Sequence, residues 1–203
     1  QGIELGLNAK ITNNLTITAI GTLAEYLYTN RPEGYVSYEN GSKPDYTETV
    51  YLKNFYVGGS PQTAASFGVH YFKNYWFFDA SYNFFDRNYV DLSPARRTES
   101  AMGFMANNQE ERDAKAELIV HQEKYDAGGT LDASIGRSMR VFNKKHTLNI
   151  NLSVSNILNN TNLKSGGFEQ GRFDFEEFNV EKYPSKYYYS QGLNFFLNIG
   201  LKI

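Results

Sequence analysis

The chain contains no cysteine and a single tryptophan in 203 residues. Without cysteine it can build neither a disulfide framework nor a thiolate metal site. It also has no run of about 18 apolar residues, and its mean hydropathy is −0.52, which excludes a membrane-spanning helix. The charge balance is nearly even, 20 basic against 22 acidic residues, so no basic field points to a nucleic acid partner and none is expected. The start of the chain has no secretory-leader pattern, because Gln1-Gly2-Ile3 enters an alternating stretch at once. Read as an exported protein, such a chain is mature or a segment of something longer.

What is present is aromatic residues and alternation. Tyrosine (16) and phenylalanine (15) are abundant. Leu193, Phe195, Leu197, Ile199, Leu201 and Ile203 stand on one side of the last stretch, with Asn194, Asn198, Gly200 and Lys202 on the other. Side chains of a strand alternate between faces, and about 9–11 tilted residues cross a bilayer, so this is the length and pattern of a transmembrane β-strand. The pattern recurs as hairpins. Ile3 to Ile11 turns at Thr12 to Asn14 into Leu15 to Ala19, and Ala65 to Tyr71 turns at Lys73-Asn74 into Trp76 to Phe84. A third hairpin joins Leu131 to Gly136 and Leu148 to Ser155 through Asn143 to Lys145. With the terminal stretch this makes about seven strands.

Short and long connections alternate. Between the tight turns lie Asn30 to Pro61, Asp91 to Gly128 and Asn159 to Lys186. Loops longer than about 12–15 residues are uncommon in compact domains, whereas outer-membrane barrels combine short periplasmic turns with long extracellular loops. The turns should therefore share one end of the sheet and the long loops the other. Gln109 to Leu118 has helix-forming composition with Glu111 and Lys115 at i,i+4. Tyr35 to Tyr38 and Tyr46 to Tyr51, around Glu39-Asn40-Gly41-Ser42, read as a hairpin with a type I′-like Asn-Gly turn.

Chemical constellations are few. His70, His121 and His146 fall on separate predicted elements, and Asp174, Glu176 and Glu177 lack the spacing of a calcium loop, so no metal or resident cofactor is expected. No Ser, His and Asp arrangement argues for an enzyme. Trp76, Phe78, Tyr82, Phe84, Phe195 and Tyr71 sit at lipid-facing positions. Loop aromatics and arginines are the residue types that grip ligands. Candidate ligand contacts are accordingly the loop aromatics Tyr35, Tyr38, Tyr46, Tyr51, Phe104, Phe168, Phe173, Phe175 and Phe178 with three arginines, foremost among them Arg96, Arg97, Arg172, Tyr35, Tyr38 and Phe173, and the competing reading is that these residues pack the loops against one another.

Three stretches carry a family likeness: Tyr51-Leu52-Lys53-Asn54-Phe55-Tyr56-Val57-Gly58-Gly59-Ser60-Pro61-Gln62-Thr63-Ala64, Ser93-Pro94-Ala95-Arg96-Arg97-Thr98, and Gln122-Glu123-Lys124-Tyr125 ahead of Gly128 to Ser138. With the ending Tyr187 to Asn198, they resemble the C-terminal barrel of TonB-dependent outer-membrane receptors of the kind common in Bacteroidota. The resemblance implies an all-β fold: an antiparallel up-and-down transmembrane β-barrel segment, about seven C-terminal strands of a barrel of about 22, with long extracellular loops. It further implies a plug domain outside residues 1–203, contact with TonB through that plug, outer-membrane lipid around the wall, a surface lipoprotein partner, and active nutrient uptake. The alternatives are a non-transporting barrel subunit or adhesin that docks a surface partner and, further off, a soluble β-sandwich enzyme or lectin.

Overall fold

The computed structural model describes residues 1–38 and 40–203. Its strands in chain order are β1 (Gly2–Lys10), β2 (Leu15–Ala24), β3 (Glu33–Val36), β4 (Tyr46–Thr49), β5 (Thr63–Lys73), β6 (Trp76–Asp86), β7 (Gly128–Val141), β8 (His146–Ser155), β9 (Lys164–Phe168), β10 (Lys186–Tyr189) and β11 (Asn194–Lys202). One helix, α1 (Gln109–Val120), lies between β6 and β7. Seven strands form one antiparallel sheet in the order β1-β2-β5-β6-β7-β8-β11, while β3–β4 and β9–β10 are separate hairpins. Sheet order follows chain order, so the three tight turns fall at one end and the three long connections, residues 25–62, 87–127 and 156–193, at the other.

The register lines up one apolar face across all seven strands. Leu7 pairs with Ala19, Ala19 with Phe67, Phe67 with Tyr82, and Tyr82 with Leu131. Ile135 then pairs with Leu152 and Leu152 with Leu197. A one-residue slip at any ladder would put the apolar set of one strand on the other face. The face is uncovered: Leu5 is 72% exposed, Phe195 73% and Ile199 65%. Seven strands about 4.8 Å apart and nine or more residues long give it an area on the order of 1,000 Å², beyond the roughly 300–600 Å² of the largest apolar patch on a typical soluble monomer.

The opposite face is largely polar and concave. Five strands, β2 and β5 to β8, curl around a hollow of about 420 Å³ lined by Thr18, His70, Asp79, Asp132, Ser134 and Ser153 among others. Cross-strand hydrogen bonds satisfy much of it. Ser66 Oγ donates to Asn83 Oδ1 at 2.8 Å, and Asn83 Nδ2 donates to Asp132 Oδ2 at 2.9 Å. The other Asp132 oxygen accepts the Asn156 N–H at 2.8 Å. His70 Nδ1 meets Asp79 Oδ1 at 2.5 Å, and Ser134 Oγ donates to the second Asp79 oxygen at 3.3 Å.

Apart from Ala24, every buried hydrophobic residue among those described lies in the long connections. Val50, Leu52, Val90, Leu92 and Tyr125 form one cluster, and Ala101, Phe104, Ile119 and Phe173 form another. The molecule thus carries its packed cores in a layer at one end of a sheet whose own apolar side is bare. Helix α1 belongs to that layer, covering and slightly exceeding the expected Gln109 to Leu118. Its N-terminus is closed by Asn108 Oδ1 accepting the Glu111 N–H at 2.8 Å, while the Glu111 carboxylate accepts the Asn107 N–H at 2.9 Å. The pair resembles a capping box shifted by one residue, the carboxylate reaching the residue before the Asn108 cap rather than the cap itself.

Four local expectations are corrected. The β5–β6 turn is Asn74-Tyr75, one residue later than Lys73-Asn74, with φ of 51° and 66°, because Lys73 still pairs with Trp76. The β7–β8 turn begins at Phe142, one residue earlier than Asn143, and Phe142, Asn143 and Lys144 all have positive φ. The first-loop hairpin forms, but Val36 pairs with Tyr46, so residues 37–45 connect the strands rather than a two-residue Asn-Gly turn. Glu39 of that expected turn lies outside the described residues. The last connection holds β9–β10, where a loop alone was expected.

A glycine on the concave face gives a direct test of the register. A Cβ on Gly136 would sit 2.1 Å from Phe77 Cζ and 2.8 Å from the Ile150 carbonyl oxygen, whereas one on Gly21 meets nothing within 4 Å. Gly136→Leu should cost about 1–3 kcal/mol, and Gly21→Ala should stay within about 0.5 kcal/mol, in equilibrium unfolding of the complete protein. Equal costs would contradict the packing of Phe77 across Gly136.

Candidate functional site

The loop layer is held by polar side-chain clamps. Gln122 pairs side chain to backbone with Tyr56, its Oε1 accepting the Tyr56 N–H at 3.0 Å and its Nε2 donating to the Tyr56 carbonyl at 2.7 Å. Gln62 is wholly buried and accepts the Tyr26 N–H at 2.5 Å. The second and third connections join where Asp91 and Phe168 bridge in parallel, with the Asp91 N–H donating to the Gly167 carbonyl at 3.0 Å and the Glu169 N–H to the Asp91 carbonyl at 2.8 Å.

At the centre of this layer stands the Arg97–Glu169 pair, with side chains 0% and 2% exposed. The guanidinium is bidentate on the carboxylate, Nη1 donating to Oε2 and Nη2 to Oε1, the latter at 2.9 Å. Nη2 also donates to the carbonyl of Val120 at 3.1 Å, at the end of α1, and the group lies over the Phe55 ring, 5.2 Å from its centroid. Arg96 donates to the Tyr183 carbonyl at 2.6 Å and sits 4.0 Å from Glu169. Near the sheet, Glu123 accepts from Lys164 Nζ and the Tyr187 hydroxyl, each at 2.5 Å. Burial opposes ionisation of Glu123, yet these two donors hold its carboxyl below the usual range. Burial pushes the Tyr125 hydroxyl up to about 12.

One cleft of about 860 Å³ opens among all three connections. Its walls are Tyr35, Tyr38 and Tyr46 of the β3–β4 hairpin, Phe175 of the third connection, and Ser93 to Ala95 of the second. The Tyr38 and Tyr46 rings are 6.5 Å apart, with Lys43 Nζ 5.6 Å from the centre of the Tyr38 ring. The Tyr35 hydroxyl donates to Asp45 and keeps that carboxyl below its ordinary range. Glu48 accepts the Ser100 N–H at 3.2 Å. Ser93 is 2% exposed; its N–H donates to Glu169 at 2.8 Å, while its buried Oγ has no partner. Aromatic walls around a few polar groups are the usual make-up of a ligand pocket.

Of the six expected ligand contacts, Tyr35 and Tyr38 line this cleft. Arg96, Arg97 and Phe173 are buried inside the loop layer, 6%, 1% and 8% exposed, and there they follow the competing packing reading. A ligand arriving from outside meets no atom of the Arg97 side chain. Arg172 is exposed and is not among the residues lining the cleft. Tyr46 and Phe175, also among the expected loop aromatics, line it too, and Glu48 and Ser93 join the site unexpected. Ser93 opens the Ser-Pro-Ala-Arg-Arg stretch, which is the signal the sequence carries for it; Glu48 has none.

Comparison with protein-family models, with curated proteins and with solved structures finds no match for this chain.

The Arg97–Glu169 pair carries a stability test. Arg97→Met strands a buried carboxylate and should cost about 3–5 kcal/mol, whereas Arg97→Met combined with Glu169→Leu should recover much of the loss. Unfolding of the complete protein, with protease sensitivity of residues 156–193, reads both. A double variant as damaged as the single one would remove the pair from its central place.

Proposed function

We propose that the chain is the C-terminal part of the wall of a TonB-dependent outer-membrane receptor, and that its long connections face the outside and capture a ligand for active uptake. The observation that carries this reading is the exposed apolar face, seven strands wide, opposite a polar concave one. Water penalises such a surface and hydrocarbon does not. Strands of β5 and β6 length, 11 residues each, span about 36 Å along their axes, enough when tilted to cross the apolar band of about 25 Å of an outer-membrane barrel.

The remaining features fit the same reading. β1 and β11 each pair on one side only, and an open edge in hydrocarbon leaves backbone groups unsatisfied at several kcal/mol each. Further strands complete the wall, in keeping with a barrel of about 22 strands. The polar hollow and its hydrogen-bonded carboxylates then face the interior, against a plug that links to TonB. Tight turns and the C-terminus lie on the periplasmic side, with the loop layer and its aromatic cleft extracellular and open to a nutrient or a surface lipoprotein. A barrel subunit or adhesin would use the same wall and the same cleft but pass nothing inward.

Two measurements test the proposal. Leu197→Arg puts a charge on the apolar face and should cost about 2–4 kcal/mol near the bilayer midplane, whereas Asn198→Arg on the concave face should cost far less. Equal penalties for the complete protein folded in lipid would refute the membrane assignment. For transport, cells producing the complete protein are fed fractions of an isotopically labelled culture extract. Accumulation abolished by a protonophore is the expected result; binding at the surface with no energised accumulation would leave the docking reading in its place.

A further inference from the structure

The ionisable residues of the apolar face are unevenly placed. Within the seven strands that face carries Lys73, Arg137 and His146 near the tight turns and Asp86 at the opposite end. At the loop end charges are paired off: Lys124 Nζ is 2.8 Å from Asp86, and Arg87 is 3.7 Å from Glu25. At the turn end they are not. Lys73 pairs in register with Trp76 and Trp76 with Arg137, so two cations flank the one tryptophan in a single row. Arg137 lies over the Trp76 ring, 4.8 Å from its centre. Both cations are exposed, and among the described residues neither takes part in an ion pair. His146 packs edge-on against Phe142 with ring centres 5.7 Å apart.

We propose that this row, Lys73–Trp76–Arg137, is a binding surface for the headgroup of an anionic phospholipid in the leaflet on the turn side, a proposal that rests on the membrane reading above. Charge complementarity selects the occupant: two unpaired cations at the rim of an apolar face require an anion with an apolar tail. Lys73 and Arg137 stand two strand spacings apart, about 10 Å, within reach of one phosphate for their long side chains. The next row inward, Tyr71–Phe78–Ile135, meets the acyl chains. The tryptophan takes the interfacial position that its amphipathic ring prefers. The cation–π contact holds the Arg137 guanidinium over Trp76 and leaves its outer N–H groups for phosphate.

The complete protein is placed in phosphatidylethanolamine vesicles containing a small fraction of photoreactive phosphatidylglycerol or photoreactive phosphatidylcholine, each with its diazirine near the glycerol. Labelled peptides are then mapped. Phosphatidylglycerol should label residues 72–78 and 135–141 at least about threefold more than phosphatidylcholine does, and added salt should shrink that excess. In Lys73→Gln/Arg137→Gln the excess should fall to near one while labelling of residues 195–201 by both lipids stays unchanged, which also shows that the variant is folded. Equal labelling by the two lipids in the unaltered protein, or an excess that survives the double substitution, would overturn the headgroup site and leave the membrane reading intact. Absence of label from either lipid along the whole apolar face would overturn both.

Discussion

Everything in this molecule depends on one constraint: backbone pairing and side-chain alternation must agree across seven strands at once. Each ladder satisfies the backbone, and the period of two sends every second side chain to the same side only if no register slips. Because the ladders from β1 to β11 keep step, Leu, Val, Tyr and nearly all Ile gather on one surface and most Thr, Ser, Asn and Asp on the other, with Phe on both. Hydrogen bonding then acts twice, along the ladders and again between side chains on the concave face. The Ser66–Asn83–Asp132 and His70–Asp79–Ser134 chains tie adjacent strands there.

The second half of the architecture follows from the first. A sheet with its apolar side outward has no interior to stabilise it in the ordinary way, so the buried hydrophobic residues collect in the connections instead. Those connections are long, and long segments require anchoring. Backbone clamps from Gln62 and Gln122, the parallel bridge at Asp91, and above all the bidentate Arg97–Glu169 pair supply it. A buried ion pair is weak as a source of stability but strongly penalised when half of it is removed, which suits a staple that must hold three loops in one arrangement. The aromatic cleft is the gap left where the three meet. Its floor is Ser93, whose amide is held by the same Glu169 that grips Arg97, so the shape of the cleft and the integrity of the staple are linked.

How much of this could be read from residues alone depended on whether the pattern was local. Strand alternation is local, and so were the seven strands, the placement of the turns, and α1, whose composition and capping residues lie within one stretch. The β9–β10 hairpin escaped because Lys164-Ser165-Gly166-Gly167-Phe168 shows no apolar alternation; its strands are recruited by tertiary contact, with Tyr187 donating to Glu123 and Asp91 bridging to Phe168. The turn at Asn74-Tyr75 was displaced by one residue because Lys73 looks like a turn residue yet is needed as the partner of Trp76. Arg96 and Arg97 read in sequence as exposed grips, because arginine side chains are buried only when a partner is supplied and Glu169 lies far along the chain. Tyr35 and Tyr38 line the cleft because an exposed hairpin needs no distant partner to present its rings.

The central claim is that the apolar face meets hydrocarbon while its opposite faces an enclosed polar interior. The absence of cysteine makes a direct reading practicable in this segment. Single cysteines introduced in turn at residues 194–202 of the complete protein, spin-labelled and placed in bilayers, report collision with oxygen dissolved in the acyl region. The account predicts a period of two, with maxima at 195, 197, 199 and 201 and minima between them. A flat profile, or maxima at 194, 196, 198 and 200, would contradict it.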